Sequence, residues 1–272
     1  MIKILLAGEG GQGVQTVAKI ITEAAQARNE KTSFIPSFGV EQRGGVSLAY
    51  IQIAEENIPY PRFETADIIV AFCNRAIKAI ENYITDQTIF IYDSSAISDD
   101  FLEPIKSKVK IHIGIPAQKI AKEKYSTKIL NMILLGALAH QLKFNLEEVK
   151  SATHKTLGDK FKTEEVEKMN LDALAEGLTL SENFDSKSEF VGSGKPEIKL
   201  EFSDDKKTWT RFPEHCKGCG LCVFRCPVKA IQFKKEVGFL GNPLPEVDIE
   251  KCIACGMCQR TCPDGAIRLE KK

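Results

Sequence analysis

The chain has 272 residues, 43% of them hydrophobic, which is room for about two domains with cores of their own. Lysine plus arginine balance aspartate plus glutamate at 37 against 37, which excludes a chain that binds nucleic acid through its overall charge. No apolar run is long enough for a leader or a membrane span: Met1 to Ala7 is too short, and Ile129 to Leu142 is interrupted by Asn131 and His140, so a soluble cytoplasmic protein is expected.

Lys3 to Ala7 reads as a buried parallel strand. It runs into Gly8-Glu9-Gly10-Gly11-Gln12-Gly13 and then into a helix with apolar residues at Val14, Val17, Ala18, Ile21 and Ala25. Strand, glycine turn and helix open a βαβ unit, and Gly8, Gly10 and Gly13 satisfy the dinucleotide pattern G-x-G-x-x-G. The acidic residue that this pattern wants about twenty positions on is missing, because Lys31 to Ser37 runs on into Phe38-Gly39. A turn that contacts some phosphate, or a partner's cofactor, is the broader reading. Pro36 to Gly45 forms a polar, glycine-rich loop before a second strand-like run, Val46 to Ile53, and belongs at the same edge of the sheet as the glycine turn. Arg43, with Gly44 and Gly45 after it, suits an anion such as a phosphate or carboxylate; a solvated Arg on an exposed turn is the plain alternative.

Asp67 to Phe72, Thr88 to Asp93 and Lys110 to Ile115 read as further core strands, with a helix over Ala76 to Tyr83. Helical pattern follows over Ile129 to Leu142, Leu146 to His154 and Thr163 to Ala175. The expected fold is an open, mostly parallel α/β sheet with flanking helices over residues 1–180. Cys73, among Val70, Ala71 and Phe72, reads as a small buried hydrophobe, and none of the four histidines belongs to a ligand set. Residues 181–210 lose periodicity and read as an extended linker.

Residues 211–272 contain CKGCGLCVFRCP and CIACGMCQRTCP, two copies of one spacing. Cys216, Cys219, Cys222 and Cys226 precede Pro227; Cys252, Cys255, Cys258 and Cys262 precede Pro263. Zinc would more often take two separated C-x₂-C pairs, and a disulfide framework would need a secretory context. The spacing is that of bacterial two-cluster ferredoxins, in which the fourth cysteine of each run ligates the other cluster. One [4Fe-4S] cluster is thus assigned to Cys216, Cys219, Cys222 and Cys262, its neighbour to Cys252, Cys255, Cys258 and Cys226. Gly220 and Gly256 give the loops freedom to curl, and Ala230-Ile231 and Ala266-Ile267 keep water off the clusters. The module carries eleven Lys or Arg against seven Asp or Glu, a net of +4 that leaves −4 on residues 1–210, and it could dock an acidic electron carrier.

This last quarter resembles the two-cluster bacterial ferredoxins, a small α+β fold, which implies one-electron transfer. Gly8-Glu9-Gly10-Gly11-Gln12-Gly13-Val14 with Ser37-Phe38-Gly39-Val40-Glu41-Gln42-Arg43-Gly44-Gly45 resembles the gamma subunit of 2-oxoacid:ferredoxin oxidoreductases, over roughly residues 1–180. That family usually has proline where Val40 stands. The Arg43-Gly44-Gly45 ending looks more like the 2-oxoglutarate, branched-chain and aryl members than the pyruvate members. The resemblance implies a fused gamma–delta subunit, silent alone, that works with alpha and beta subunits holding thiamine diphosphate. Gly8, Gly10, Gly11, Gln12, Gly13, Arg43, Gly44 and Gly45 would line or buttress the thiamine and coenzyme A region, and electrons would leave to an external ferredoxin. A nucleotide-linked ferredoxin reductase and a non-catalytic electron-transfer adaptor are the competing functions.

Overall fold

Ile4 to Ala7 carry no polar side chain and are wholly buried, which is how a strand covered on both faces reads. In the computed structural model they lie in β1 (Ile2–Glu9), the third strand of a six-stranded sheet. The described residues are 1–38, 45–109, 111–182, 198–213, 215–237 and 243–272. They fall into two units, Met1–Lys195 and Pro196–Lys272.

In the first unit α1 (Val14–Ala27) follows β1, and then come β2 (Lys31–Phe38), β3 (Val46–Ala54), β4 (Ile68–Ala71), α2 (Asn74–Ile80), β5 (Ile89–Asp93), α3 (Asp99–Lys106) and β6 (Ile111–Ile115). The strand order is β2-β3-β1-β4-β5-β6. β1, β4, β5 and β6 are parallel neighbours. β3 runs antiparallel to both β1 and β2, so it alone opposes the others, and the expected open, mostly parallel sheet is what forms. Pro36 sits on β2, an edge strand, where a missing N–H costs least. The register pairs Glu9 with Val46, which sets the end of β1 beside the start of β3.

Four helices complete the unit: α4 (Ala117–Lys124), α5 (Leu130–Gln141), α6 (Leu146–Leu157) and α7 (Glu164–Glu182). α5 is buried on all sides from Leu130 to Ala139, the pattern of a core helix. It meets α7 through two glycines: a Cβ on Gly136 would stand 2.2 Å from the Leu174 carbonyl, and one on Gly177 1.9 Å from that of Ile133. Each fully buried Val, Leu or Ile of this core contributes roughly 1.5–3 kcal/mol relative to exposure. Asn145 and Glu148 form a capping box that starts α6. No described helix is long and apolar enough to cross a membrane.

The second unit holds β7 (Leu200–Ser203), β8 (Lys207–Arg211), α8 (Leu221–Arg225), β9 (Ile231–Val237), β10 (Pro243–Val247), α9 (Met257–Thr261) and β11 (Ile267–Lys271). Residues 200–210 were expected in the linker and instead belong to a hairpin that runs to Arg211. Its turn is made by Asp204, whose carboxylate accepts from the N–H of Lys206 (2.8 Å) and Lys207 (2.9 Å). Short polar strands of this kind show no helical period and a weak alternation, which is why they pass for linker. Of the remaining expected linker, Ser181 and Glu182 end α7, and 183–197 lie outside the described residues.

A shift of 36 residues, the separation of Cys216 from Cys252, carries β8 onto β10 and α8 onto α9. The strand before the first cysteine run pairs with the strand after the second, β8 with β11, and β9 pairs with β10. The repeat extends to the backbone. Left-handed residues recur at Gly218 and Ala254, at Gly220 and Gly256, and at Lys229 and Gly265. Ala254 and Lys229 thus hold a conformation that costs about 1 kcal/mol in a non-glycine residue because the cysteine loop requires it.

Candidate functional site

The left-handed turns at Gly220 (φ 75) and Gly256 (φ 73) fold each cysteine run back on itself before a single helical turn. One consequence is a pocket walled by Cys216, Cys219, Cys222 and Cys262, three thiols from the first run and the fourth from the second. This is the crossed set assigned from spacing. Lys217, Asp264, Phe233, Pro245, Ala266 and Ile267 also line it. In both runs the third cysteine is buried, Cys222 and Cys258, while the second is exposed, Cys219 and Cys255. The fourth cysteines match as well: Cys226 Sγ accepts from the N–H of Ala230 at 3.3 Å, and Cys262 Sγ from that of Ala266 at 3.2 Å.

Burial pushes the Cys222 thiol up to about 12, and the nearby Cys262 and Cys216 push it the same way. Burial also raises Cys216, Cys258 and Cys262. Four thiolates would repel one another here without a positively charged centre, and backbone N–H groups already point at two of the sulfurs. This donor set fits an iron–sulfur cluster. Among the described residues no three His, Cys, Asp or Glu side chains close on one point as around a single metal ion, and no disulfide joins any of the nine cysteines. Ala230, Ile231, Ala266 and Ile267 are all buried, in keeping with a shield against water.

Two charged groups were not foreseen near the cysteines. Lys217 and Asp264 form a buried ion pair at 3.1 Å on the pocket wall. Arg211 is fully buried, donates to the Pro245 carbonyl at 2.8 Å and pairs with Glu236. It favours the ionised form of Cys216, as a cation near a thiolate must. Lys217 lies inside the first cysteine run and Asp264 directly after the second, where the metal pattern draws attention away from them. His215 is buried and stacks on Phe212 at 5.7 Å.

In the first unit the glycine turn and the end of the second loop meet: the N–H of Gly10 donates to the carbonyl of Gly45 at 2.8 Å. Gln12 braces the turn from inside. Its Oε1 accepts from the Glu9 N–H at 2.7 Å, and its own N–H donates to the Glu9 carbonyl at 3.1 Å. Gln15 ties the start of α1 to β3 through Ser47 Oγ and the Leu48 carbonyl, both at 2.9 Å. The N–H groups of Glu9, Gly10 and Gln12 are therefore spent within the protein, which leaves a dinucleotide phosphate fewer donors than the fingerprint would offer. Gly8 is packed against Val14 and Phe72, while a Cβ on Gly11 would enter open space. Gly13 (φ 82) lies against Asn131, a buried residue at the start of α5 that sequence alone gave no reason to place here. Arg43 and Gly44 lie outside the described residues. Cys73 is buried as expected, and burial pushes its thiol up to about 12.

Comparison with known proteins gives two family matches. Residues 3–180 match the family described as pyruvate ferredoxin/flavodoxin oxidoreductase, and residues 203–269 match the 4Fe-4S dicluster domain. The ketoisovalerate oxidoreductase subunit VorA of Methanothermobacter marburgensis is 31% identical over 137 residues, 50% of this chain and 28% of the relative. The common gamma subunit of the pyruvate/ketoisovalerate oxidoreductases of Pyrococcus furiosus is 32% identical over 145 residues, 51% of this chain and 77% of the relative. Among solved structures, the 2-oxoglutarate:ferredoxin oxidoreductase of Magnetococcus marinus, with 2-oxoglutarate, coenzyme A and succinyl-CoA bound, superposes with a TM-score of 0.60 at 25% identity. The match takes in 74% of this chain and 35% of that one. The chain therefore spans only about a third or less of two of these three relatives.

Proposed function

Because the chain belongs to the pyruvate ferredoxin/flavodoxin oxidoreductase family, with a gamma-type unit joined to a 4Fe-4S dicluster domain, we propose that it is the gamma–delta subunit of a 2-oxoacid:ferredoxin oxidoreductase. In this reading the assembled enzyme carries out CoA-dependent oxidative decarboxylation of a 2-oxoacid or the reverse synthesis. Residues 1–180 form the gamma-type domain, and the cluster domain begins with the hairpin at Leu200. The observation that carries the proposal is the convergence of Cys216, Cys219, Cys222 and Cys262 on one pocket in a chain that also holds the gamma-type unit.

Alpha and beta partners would hold thiamine diphosphate, which supplies the carbanion chemistry that decarboxylation needs. The eight cysteine thiolates of this chain would hold the two clusters, and Ala230 and Ala266 donate their N–H groups to the Cys226 and Cys262 sulfurs. Arg211 would offset negative charge near Cys216, and the apolar residues after each proline would keep water out. The clusters would supply one-electron transfer from the partner's cofactor toward an external ferredoxin. In the gamma-type domain the braced turn of Gly8, Gly10, Gly11, Gln12 and Gly13, with Arg43, Gly44 and Gly45, buttresses the coenzyme A side. The resemblance of the Arg43-Gly44-Gly45 ending slightly favours 2-oxoglutarate, branched-chain and aryl 2-oxoacids over pyruvate.

The test is anaerobic purification of the tagged full chain from its host, with an assay of CoA-dependent viologen reduction across several 2-oxoacids. Co-purified thiamine-binding subunits with activity on one 2-oxoacid are expected. A chain recovered alone whose clusters are reduced by NADH would overturn the proposal in favour of a nucleotide-linked reductase.

A further inference from the structure

The 36-residue repeat makes the two cluster sites comparable position by position, and they are not equivalent. Pro245 and Phe233, partners across β9 and β10, line the pocket of Cys216, Cys219, Cys222 and Cys262. Shifted by 36, Pro245 falls on Trp209 and Phe233 on Leu269, which are partners across β8 and β11. Trp209 therefore stands against the second site where Pro245 stands against the first. Proline has no N–H to give. Trp209 has one: it is wholly buried, packs in one apolar cluster with Cys258, and its indole Nε1 has no formed hydrogen bond to any protein acceptor. Phe202, set edge-on at 5.6 Å, holds the ring.

A buried indole N–H without an acceptor costs on the order of 1–3 kcal/mol, so a position that keeps one needs a reason. By the same shift Cys258 corresponds to Cys222, which lines the first pocket with Pro245, and Cys258 is buried in the apolar cluster that holds the Trp209 ring. We propose that the Trp209 indole donates a hydrogen bond to the Cys258 sulfur of the bound cluster. It thereby sets the potential of the cluster on Cys226, Cys252, Cys255 and Cys258 above the value that cluster would otherwise have. A reduced cluster carries one more negative charge than an oxidised one, so a donor to its sulfur stabilises the reduced form and moves the potential in the positive direction. The first site has Pro245 at this place and lacks that donor. The inference rests on the assignment of these cysteines to clusters, and it names Trp209 as a residue that acts through a ligand and does not itself react.

The test uses the full chain reconstituted anaerobically with iron and sulfide, with both midpoint potentials followed by EPR-monitored titration. Trp209→Phe removes the N–H, and replacement of Trp209 by 3-benzothienylalanine removes it while keeping the ring outline. With iron content at the wild-type level, one midpoint is expected to become more negative while the other stays. A deuterium-sensitive Fe–S stretching band of the wild type should be absent from both variants. If Trp209→Phe loses iron, the isosteric replacement decides. Unmoved potentials, or an equal shift of both, in a variant with full iron would overturn the role of Trp209 and leave the cluster assignment standing. A wild-type chain that takes up no clusters would overturn the assignment, and this inference with it.

Discussion

The N–H of Gly10 donates to the carbonyl of Gly45 at 2.8 Å, so two glycine-rich segments 35 residues apart in sequence end in one loop cluster at the edge of the sheet. Gln12 completes that cluster from within, through its bond from the Glu9 N–H. Gln12→Ala leaves this part-buried donor without its acceptor and should cost about 1 kcal/mol. If the proposed function holds, the apparent affinity of the assembled enzyme for coenzyme A should fall with it. Gln12→Glu keeps the acceptor and should behave like wild type in chemical denaturation, and a deficit as large as that of the alanine variant would show that the brace is not what Gln12 provides.

Gly11 and Gly13 are both left-handed, at φ 104 and φ 82, but their surroundings differ. Alanine at 11 meets nothing within 4 Å and adds only backbone strain, about 1 kcal/mol. Alanine at 13 adds the same strain and also sets its Cβ 2.5 Å from Asn131 Nδ2, where a buried side chain must shift, for a total of about 2–3 kcal/mol. Denaturation midpoints should rank wild type, then Gly11→Ala, then Gly13→Ala; equal losses would remove Asn131 from the account.

Much of this was legible in residues whose pattern has one physical cause. The apolar run Ile4 to Ala7 can only be covered on both faces, and C-x₂-C-x₂-C-x₃-C-P has no common use but a cluster. Other features depend on tertiary partners that a local pattern does not name. The insertion of β3 between β1 and β2 is set by which edges pair. Asn131 reads as a flaw in an apolar helix until it is seen against Gly13. Residues 200–211 become strands because Trp209 and Arg211 find partners on β11, about sixty residues on.

Arg28 at the end of α1 clamps the start of α6, donating to both carboxylate oxygens of Glu148 (2.7 and 2.6 Å) and to the Lys143 carbonyl (2.8 Å). The bond from Arg28 holds the Glu148 carboxyl below its ordinary value. A lowered folded value means stability that is complete above the unfolded value, about 4.3, and lost as pH falls through the folded one. Both side chains are about a third exposed, so solvent screening limits the contribution to about 0.5–1 kcal/mol. The advantage of wild type over Glu148→Gln should be constant from about pH 8 to 5 and shrink toward pH 3; an advantage that persists at pH 3 would point to packing instead of charge.

The crossed assignment predicts which cluster each fourth cysteine serves. Cys262→Ala should disturb the cluster of the first run, and Cys226→Ala that of the second. Either variant, reconstituted anaerobically, should lose iron from about eight to about four per chain, and the remaining EPR signal should differ between the two. Identical residual signals, or loss of the cluster belonging to the mutated run itself, would refute the crossing.

The Lys217–Asp264 pair, at 3.1 Å and with side chains 8% and 3% exposed, is matched in the other repeat by Ile253 and Val228. Ile253 and Val228 are exposed, so the repeat supplies the apolar residue types for this place but buries only the ionic pair. Asp264→Val alone takes this carboxylate from the buried Lys217 ammonium, a loss of at most about 3–5 kcal/mol. Lys217→Ile with Asp264→Val puts the residue types of the other repeat here and should recover most of that loss, since a buried ion pair barely repays its own desolvation. The Asp264 backbone N–H that favours ionised Cys262 survives either change. Cluster bleaching in denaturant, followed by visible absorbance, should be fast in the single variant and near wild type in the double. If the double variant bleaches as fast as the single one, the ion pair is holding the first cluster in a way that the second repeat does not need.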